Sequence, residues 1–144
     1  MKILIDTNIF LDWLLRREPF LKSAEKVIEK CFLDEEIKGF VTPHSLSDIF
    51  YITRKKLSVR ERKHFLLSVC RHFDFIMEEK EHVKQVLSSD SFDDLEDGLQ
   101  MLCAASNNLD YIITRDLNDF KNSPVPAIAP DKFLELFSSE EKLN

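Results

Sequence analysis

Four short stretches of the 144-residue chain carry acids at positions from which they could act together: "ILIDTN" (Ile3 to Asn8), "TPHSLSDIFY" (Thr42 to Tyr51), "FDDLEDGLQMLCA" (Phe92 to Ala104) and "DYIITRDLNDF" (Asp110 to Phe120). The acids of interest are Asp6, Asp48, Asp97 and Asp116, with Asp119 close behind the last. Like charges brought within a few ångströms repel unless a cation sits among them. A set of carboxylate oxygens without Cys or His suits hard ions such as Mg²⁺ or Mn²⁺ rather than Zn²⁺. The chemistry open to such a set is metal-assisted hydrolysis, in which one cation, or two about 3.5–4 Å apart, acidifies water and offsets charge on a phosphate. Each acid also has a plainer role. Asp6 could cap a helix, Asp97 shares with Asp93, Asp94 and Glu96 the favoured place of acids in a helix's first turn, and Asp116 and Asp119 could shape a turn. Which role holds depends on whether the fold brings the acids to one place.

Five short apolar runs read as strands: 2–5, 38–42, 73–76, 110–114 and 125–128. Between them lie helical stripes. Ile9, Phe10, Trp13 and Leu14 form the first; Phe20, Ala24, Val27, Ile28 and Cys31 form the second, after Pro19 in a first helical turn. Further helices are expected over 43–56, from a Ser58 cap through Phe65, Leu66 and Val69, over 80–87, over 94–107 with Leu95, Leu99, Leu102 and Ala105 inward, and over 130–137. Strands separated by helices imply parallel crossovers, and so an α/β fold: a three-layer α/β/α sandwich around a parallel sheet of about five strands. In such a sheet the strands' carboxyl ends and the helices' amino ends share one edge, where ligands bind. Asp6 follows the first strand, Asp48 lies near the start of the helix after the second, Asp97 opens the helix before the fourth, and Asp116 lies just beyond that strand. Neither Asp48 nor Asp97 belongs to its helix's apolar stripe.

The length predicts one domain over 1–144, and only 2 Gly and 5 Pro leave no room for linkers. Cys31, Cys70 and Cys103 are odd in number, far apart and set in apolar patterns, so buried thiols in a reducing compartment are expected. No signal-peptide pattern follows Met1 and no long apolar run occurs, which predicts a cytoplasmic protein that does not enter the membrane. A net charge of −6 argues against coating nucleic acid by bulk attraction. The segment 54–65 is the exception: Arg54, Lys55, Lys56, Arg60, Arg62 and Lys63 form the one stretch suited to tracking a phosphate backbone, or else a solvated helix face.

The four acidic blocks, in this order and at this length, resemble the PIN domain family, compact metal-dependent ribonucleases that include the toxins of bacterial toxin/antitoxin pairs. The resemblance covers roughly Met1 to Phe137. It implies a parallel sheet with acids at its carboxyl edge, Mg²⁺ or Mn²⁺ as cofactor, and hydrolysis of phosphodiester bonds in single-stranded RNA. Residue by residue, Asp6, Asp48, Asp97 and Asp116 match the four family acids, with Asp6, Asp97 and Asp116 as metal ligands and Asp48 as a ligand or a positioner of the attacking water. Asn8 and Thr114 match polar positions that line the site, and Asp119 is a further acid near it. The partners implied are RNA, an antitoxin protein and a second copy of the chain. Two departures stand out: the second acid is more often Glu, so Asp48 has a shorter reach, and Gly98 stands where Ala is usual, at a cost of about 1 kcal/mol in helix propensity. His44 is expected to contact backbone at its helix start rather than to act in catalysis.

Two other classes remain open on the residues alone. A phosphoacceptor receiver domain would need an acid closing the third strand and a base ending the fifth, and "FDFIM" and "VPAIAP" supply neither. A non-catalytic PIN-like module that binds nucleic acid or protein would carry the same blocks.

Overall fold

The computed structural model describes residues 1–138, so positions 139–144 of the expected domain lie outside the described residues. Strand β1 (Lys2–Ile5) is apolar throughout its inner positions because helices cover both of its faces. It pairs in parallel with β2 (Lys38–Val41) on one side and β4 (Tyr111–Ile113) on the other. The sheet is completed by β3 (Asp74–Phe75) and β5 (Ala127–Ile128), giving five parallel strands in the order β3-β2-β1-β4-β5. The two edge strands are shorter than the apolar runs that announce them, since each has a pairing partner on one side only.

Alternation along the strands divides the core. Ile3, Ile5, Val41 and Ile113 face α1 (Thr7–Leu14), α2 (Leu21–Leu33), α3 (Pro43–Ile52), α4 (Val59–His72) and α7 (Pro130–Ser138). Leu4, Phe40 and Ile112 face α6 (Leu95–Ser106), against which α5 (Lys80–Ser88) packs. The sequence-derived helices lie where expected to within a few residues. The third stops earlier because Thr53 is buried with its hydroxyl donating to the Ile49 carbonyl, and a single 3₁₀ turn over Thr53–Lys55 follows. Pro19 lies in a turn ahead of α2 rather than inside it, and Leu95 is exposed rather than inward. Ser58 caps α4 as read, in a reciprocal pair with Glu61. Two of the three thiols, Cys31 and Cys103, are buried, whereas Cys70 is exposed on the outer side of α4.

Gly98 is explained by packing rather than by backbone freedom. A Cβ there would sit 2.7 Å from Val86 Cγ1 and 3.2 Å from Phe92 Cβ, so the glycine lets α6 approach α5 closely. Gly98→Ala is therefore expected to destabilise: overpacking costs about 1–3 kcal/mol, more than the roughly 1 kcal/mol gained in helix propensity. Urea denaturation at constant m-value measures the difference.

Candidate active site

The strand order reverses between β1 and β4. From β1 the chain proceeds outward through β2 to β3, then returns to the other side of β1 for β4 and β5. Such a switch point opens a crevice at the carboxyl ends of the strands. Asp6 stands at the end of β1, with its backbone N–H donating to the Ile113 carbonyl of β4 at 3.0 Å. It holds the N-cap position of α1 with extended backbone, yet its carboxylate makes no capping bond. Instead Oδ2 accepts from the Thr114 hydroxyl at 2.9 Å and Oδ1 from the Gln100 amide at 3.4 Å. The side chain is thus turned away from its own helix into the crevice.

The remaining acids arrive from separate elements. Asp116, in the loop after β4, accepts from Asn8 Nδ2 at 3.0 Å, and its own N–H donates to Thr114 Oγ1 at 3.0 Å. Thr114 therefore ties the Asp6 carboxylate to the backbone that carries Asp116. Asp97 enters from the first turn of α6, where Asp94 is the cap and accepts from the Asp97 N–H. Asp48 projects from α3. Asp6, Asn8, Asp48, Glu96, Asp97, Asp116 and Asp119 all line one cleft of about 260 Å³. Thr114 supports it from beneath, fully buried.

Sequence reading missed three contributors. Glu96, taken as a first-turn acid, points into the cleft and accepts from the Thr7 hydroxyl at 3.2 Å. Gln100, one turn after Asp97, is buried and donates to Asp6, while its Oε1 finds no partner. His44 does not contact backbone as expected; its Nε2 lies 3.2 Å from Asp48 Oδ2 and 3.7 Å from Glu96 Oε2. The i, i+4 spacing of His44 and Asp48 on one helix was the available signal.

Beneath the loop, Asp12 of α1 is wholly buried and receives Arg115 in a forked bond, Nε at 2.8 Å and Nη2 at 3.2 Å, with Arg17 3.7 Å away. Arg115 also lies over the Phe20 ring and sends Nη1 to within 3.9 Å of Asp116. This pair fastens the loop carrying Asp116 to α1.

The electrostatics are those of an acid cluster in want of positive charge. Burial, the largest influence, raises the Asp6 carboxyl, opposed by its bonds from Thr114 and Gln100. Burial, then Asp94, Asp6 and other neighbouring acids, push Asp97 up to about 7. Burial and the Asp48 charge push Glu96 up to about 7, opposed by His44 and Thr7. The sign of the pH dependence follows. Unfolded, these groups titrate near 3.8 and 4.5, so between those values and about 7 the folded state binds more protons. Without metal, stability should therefore rise as pH falls from 8 through 7 toward about 5. Thermal melts in EDTA across this range test it, and added Mn²⁺, which competes with the protons, should flatten or reverse the trend.

The donor set fits a hard divalent cation: oxygen ligands in excess, three of them (Asp6, Glu96 and Asp97) with proton affinity raised by burial and neighbouring acids, and hydroxyl and amide groups holding the carboxylates in place.

The basic segment is only partly as expected. Arg54, Lys55, Lys56, Arg60 and Lys63 are exposed. Arg62 is not available to phosphate: it is 8% exposed, donates from Nη1 to the Phe50 carbonyl at 2.7 Å, and lies over the Phe50 ring. Its position in α4 turns it inward onto α3. The exposed cations follow Ile52 in the chain, and Ile52 lines the cleft. Among the described residues no helix is long and apolar enough to cross a membrane.

Residues 2–118 match the family model of the PIN domain. No curated protein matches the chain. Among solved structures, the chain is similar to VapBC2 from Rickettsia felis, bound to a DNA fragment from its promoter, at 15% identity and a TM-score of 0.66 over 90% of this chain and 98% of that one. It is also similar to the Mycobacterium tuberculosis toxin VapC20, which cleaves the sarcin–ricin loop, at 10% identity and a TM-score of 0.66 over 85% and 95% of the two chains. A third, VapBC-1 from nontypeable Haemophilus influenzae, matches at 14% identity and a TM-score of 0.65 over 92% and 100%. The likeness to these structures is one of fold, whereas the family model spans most of the sequence and includes Asp6, Asp48, Asp97 and Asp116: the chain belongs to the PIN domain family.

Proposed function

We propose that the protein is an endoribonuclease that hydrolyses phosphodiester bonds of single-stranded RNA with Mg²⁺ or Mn²⁺, and that it is the toxin of a toxin/antitoxin pair. The observation that supports this reading most is the convergence of Asp6, Asp48, Asp97 and Asp116, from four separate elements, on one cleft at the sheet's switch point. Asp6, Asp97 and Asp116 are the residues that would hold the cation. When bound, it supplies a Lewis acid that acidifies water and offsets the charge developing on the phosphate. Asp48, opposite them on α3, orients the attacking water. Thr114 and Gln100 orient the Asp6 side chain into the cleft, and Asn8 does the same for Asp116. Asp119, exposed at the mouth, adds to the negative field that draws in a divalent ion.

No covalent intermediate is required, and among the described residues His82, which approaches both Cys103 and Ser106, lines a separate cleft from the acids. The Cys103 thiol near His82 is pushed up to about 11 by burial, and His82 Nδ1 already accepts from the Glu79 N–H. Purified protein should cleave single-stranded RNA with Mn²⁺ or Mg²⁺, lose the activity in EDTA, and lose it on Asp6→Asn. Persistent cleavage by that variant would reject the assignment.

The cations beyond Ile52 provide the phosphate track. Replacing Lys55, Lys56 and Arg60 by Gln should weaken RNA binding and flatten the dependence of log K on log salt by about 2, since each single-strand phosphate contact contributes about 0.7. Arg62→Gln should leave the slope unchanged and lower stability instead. Filter binding at several salt concentrations separates the two.

The toxin reading also implies an antitoxin and a homodimer. It is supported by the VapBC complexes among the similar structures and by Tyr51, Ile52, Val59 and Leu67, large apolar side chains left exposed on α3 and α4.

A further inference from the structure

Glu96 lines the cleft and His44 reaches its edge, but neither has a role in the cation-holding and water-orienting set proposed above, and their geometry suits more than a surface ion pair. His44 sits in the first turn of α3, one turn before Asp48, and Glu96 faces both from the first turn of α6. One ligand atom from each, His44 Nε2 and an oxygen of Asp48 and of Glu96, lie within 4.8 Å of one another. Donors each about 2.0–2.2 Å from one ion stand about 3.0–3.5 Å apart in octahedral or tetrahedral arrangement. The observed 3.2 Å from imidazole to Asp48 and 3.7 Å from imidazole to Glu96 are close to that spacing. Glu96 is also oriented: Oε1 accepts from the Thr7 hydroxyl, which leaves Oε2 toward His44, the kind of outer bond that fixes a metal-ligating carboxylate. The His44 side chain is 44% exposed, so water can complete the coordination and the ion can exchange.

We infer that His44, Asp48 and Glu96 form a second cation position, distinct from that of Asp6, Asp97 and Asp116 and selective for a first-row transition ion over Mg²⁺. The selectivity comes from the imidazole. Mg²⁺ demands oxygen ligands and dehydrates reluctantly, whereas a nitrogen donor beside two carboxylates suits Zn²⁺, Co²⁺ or Fe²⁺. The inference deepens the nuclease reading because Asp48 belongs to both. It gives the departure from the usual Glu a consequence: the shorter Asp48 keeps its carboxylate near its own helix, within reach of His44 one turn back.

Cobalt(II) is the probe, since its visible absorption changes with coordination geometry and with the ligand set, so that losing an imidazole alters the band. The full chain and its His44→Ala, Glu96→Gln and Asp6→Asn variants, each checked for folding by circular dichroism, are titrated with Co²⁺ and with Mg²⁺ by calorimetry and absorption. The wild type should bind two Co²⁺. His44→Ala should weaken one of them at least tenfold and change the cobalt band while leaving Mg²⁺ binding unchanged. Glu96→Gln should weaken the same ion, and Asp6→Asn should lose the other while keeping the His44-dependent band. A single Co²⁺ in the wild type, unchanged cobalt binding and absorption in His44→Ala, or loss of all cobalt in Asp6→Asn would each overturn the second position. Retention of both ions by Asp6→Asn would instead contradict the nuclease site and leave the His44 position standing.

Discussion

Asp6→Asn should lose most of the stabilisation that a divalent cation gives the wild type, while costing little in its absence. Asn caps a helix about as well as Asp, so a capping role alone would make the substitution silent with or without metal. The carboxylate makes no capping bond, however, and faces Thr114 and Gln100 in the acidic cleft. In EDTA the variant keeps an acceptor for Thr114 and removes one charge from a repelling cluster, so it should be as stable as the wild type or slightly more so. With Mn²⁺ at 100 times its dissociation constant, the wild type should gain about 2.7 kcal/mol, a Tm shift of about 5–10 °C, because the ion binds only the folded chain. The variant should gain much less. Its loss of cleavage should be at least about a hundredfold, since several kcal/mol of transition-state stabilisation depend on the ion. Equal metal-induced shifts in the two proteins would reduce Asp6 to a cap.

Arg115→Met should be the most destabilising of the substitutions considered. Asp12 is wholly buried, and its carboxylate is neutralised chiefly by the forked bond from Arg115. Removing one partner of a buried pair leaves a charge without compensation, at a cost of about 3–5 kcal/mol. Arg17 at 3.7 Å should hold the loss near the lower end, about 3 kcal/mol. Arg115→Lys should recover only part, because an ammonium cannot make the fork. Asp12→Asn combined with Arg115→Met should be less damaging than the sum of the two, because no buried charge is then left alone. Urea denaturation of the four variants measures the coupling, and additive losses would mean that the two side chains act independently.

The contrast between these two positions shows what the sequence carries. Asp6 was legible because a strand of pure apolar residues, 2–5, ends on it, and strand ends and helix starts must share an edge in a parallel sheet. The same rule placed Asp48, Asp97 and Asp116. β1, β2 and β4 were legible because burial on both faces leaves an unbroken apolar signal, while β3 and β5, at the edges, pair over two residues of the longer runs. Asp12 gave no such signal. It lies between Leu11 and Trp13 in an apolar helix, and its partner is 103 residues away, so only the packed fold brings them together. Arg62 was misread for a related reason: a cation among cations reads as surface, and its inward turn depends on the position of Phe50 in a neighbouring helix. Glu96 was hidden by Asp97 beside it, since both are equally good first-turn acids and the rotation of α6 that turns both of them into the cleft is set by packing against the sheet. Gly98 looked like a loss of helix propensity until α5 was seen to lie against it.

Diffraction from crystals soaked in Mn²⁺, with anomalous data collected at the manganese edge, tests the account most directly. The expected result is an anomalous peak bounded by the carboxylates of Asp6, Asp97 and Asp116, absent from crystals of Asp6→Asn. A cleft without a peak in the wild type, or a peak that persists unchanged in the variant, would contradict the assignment of these acids as a metal centre.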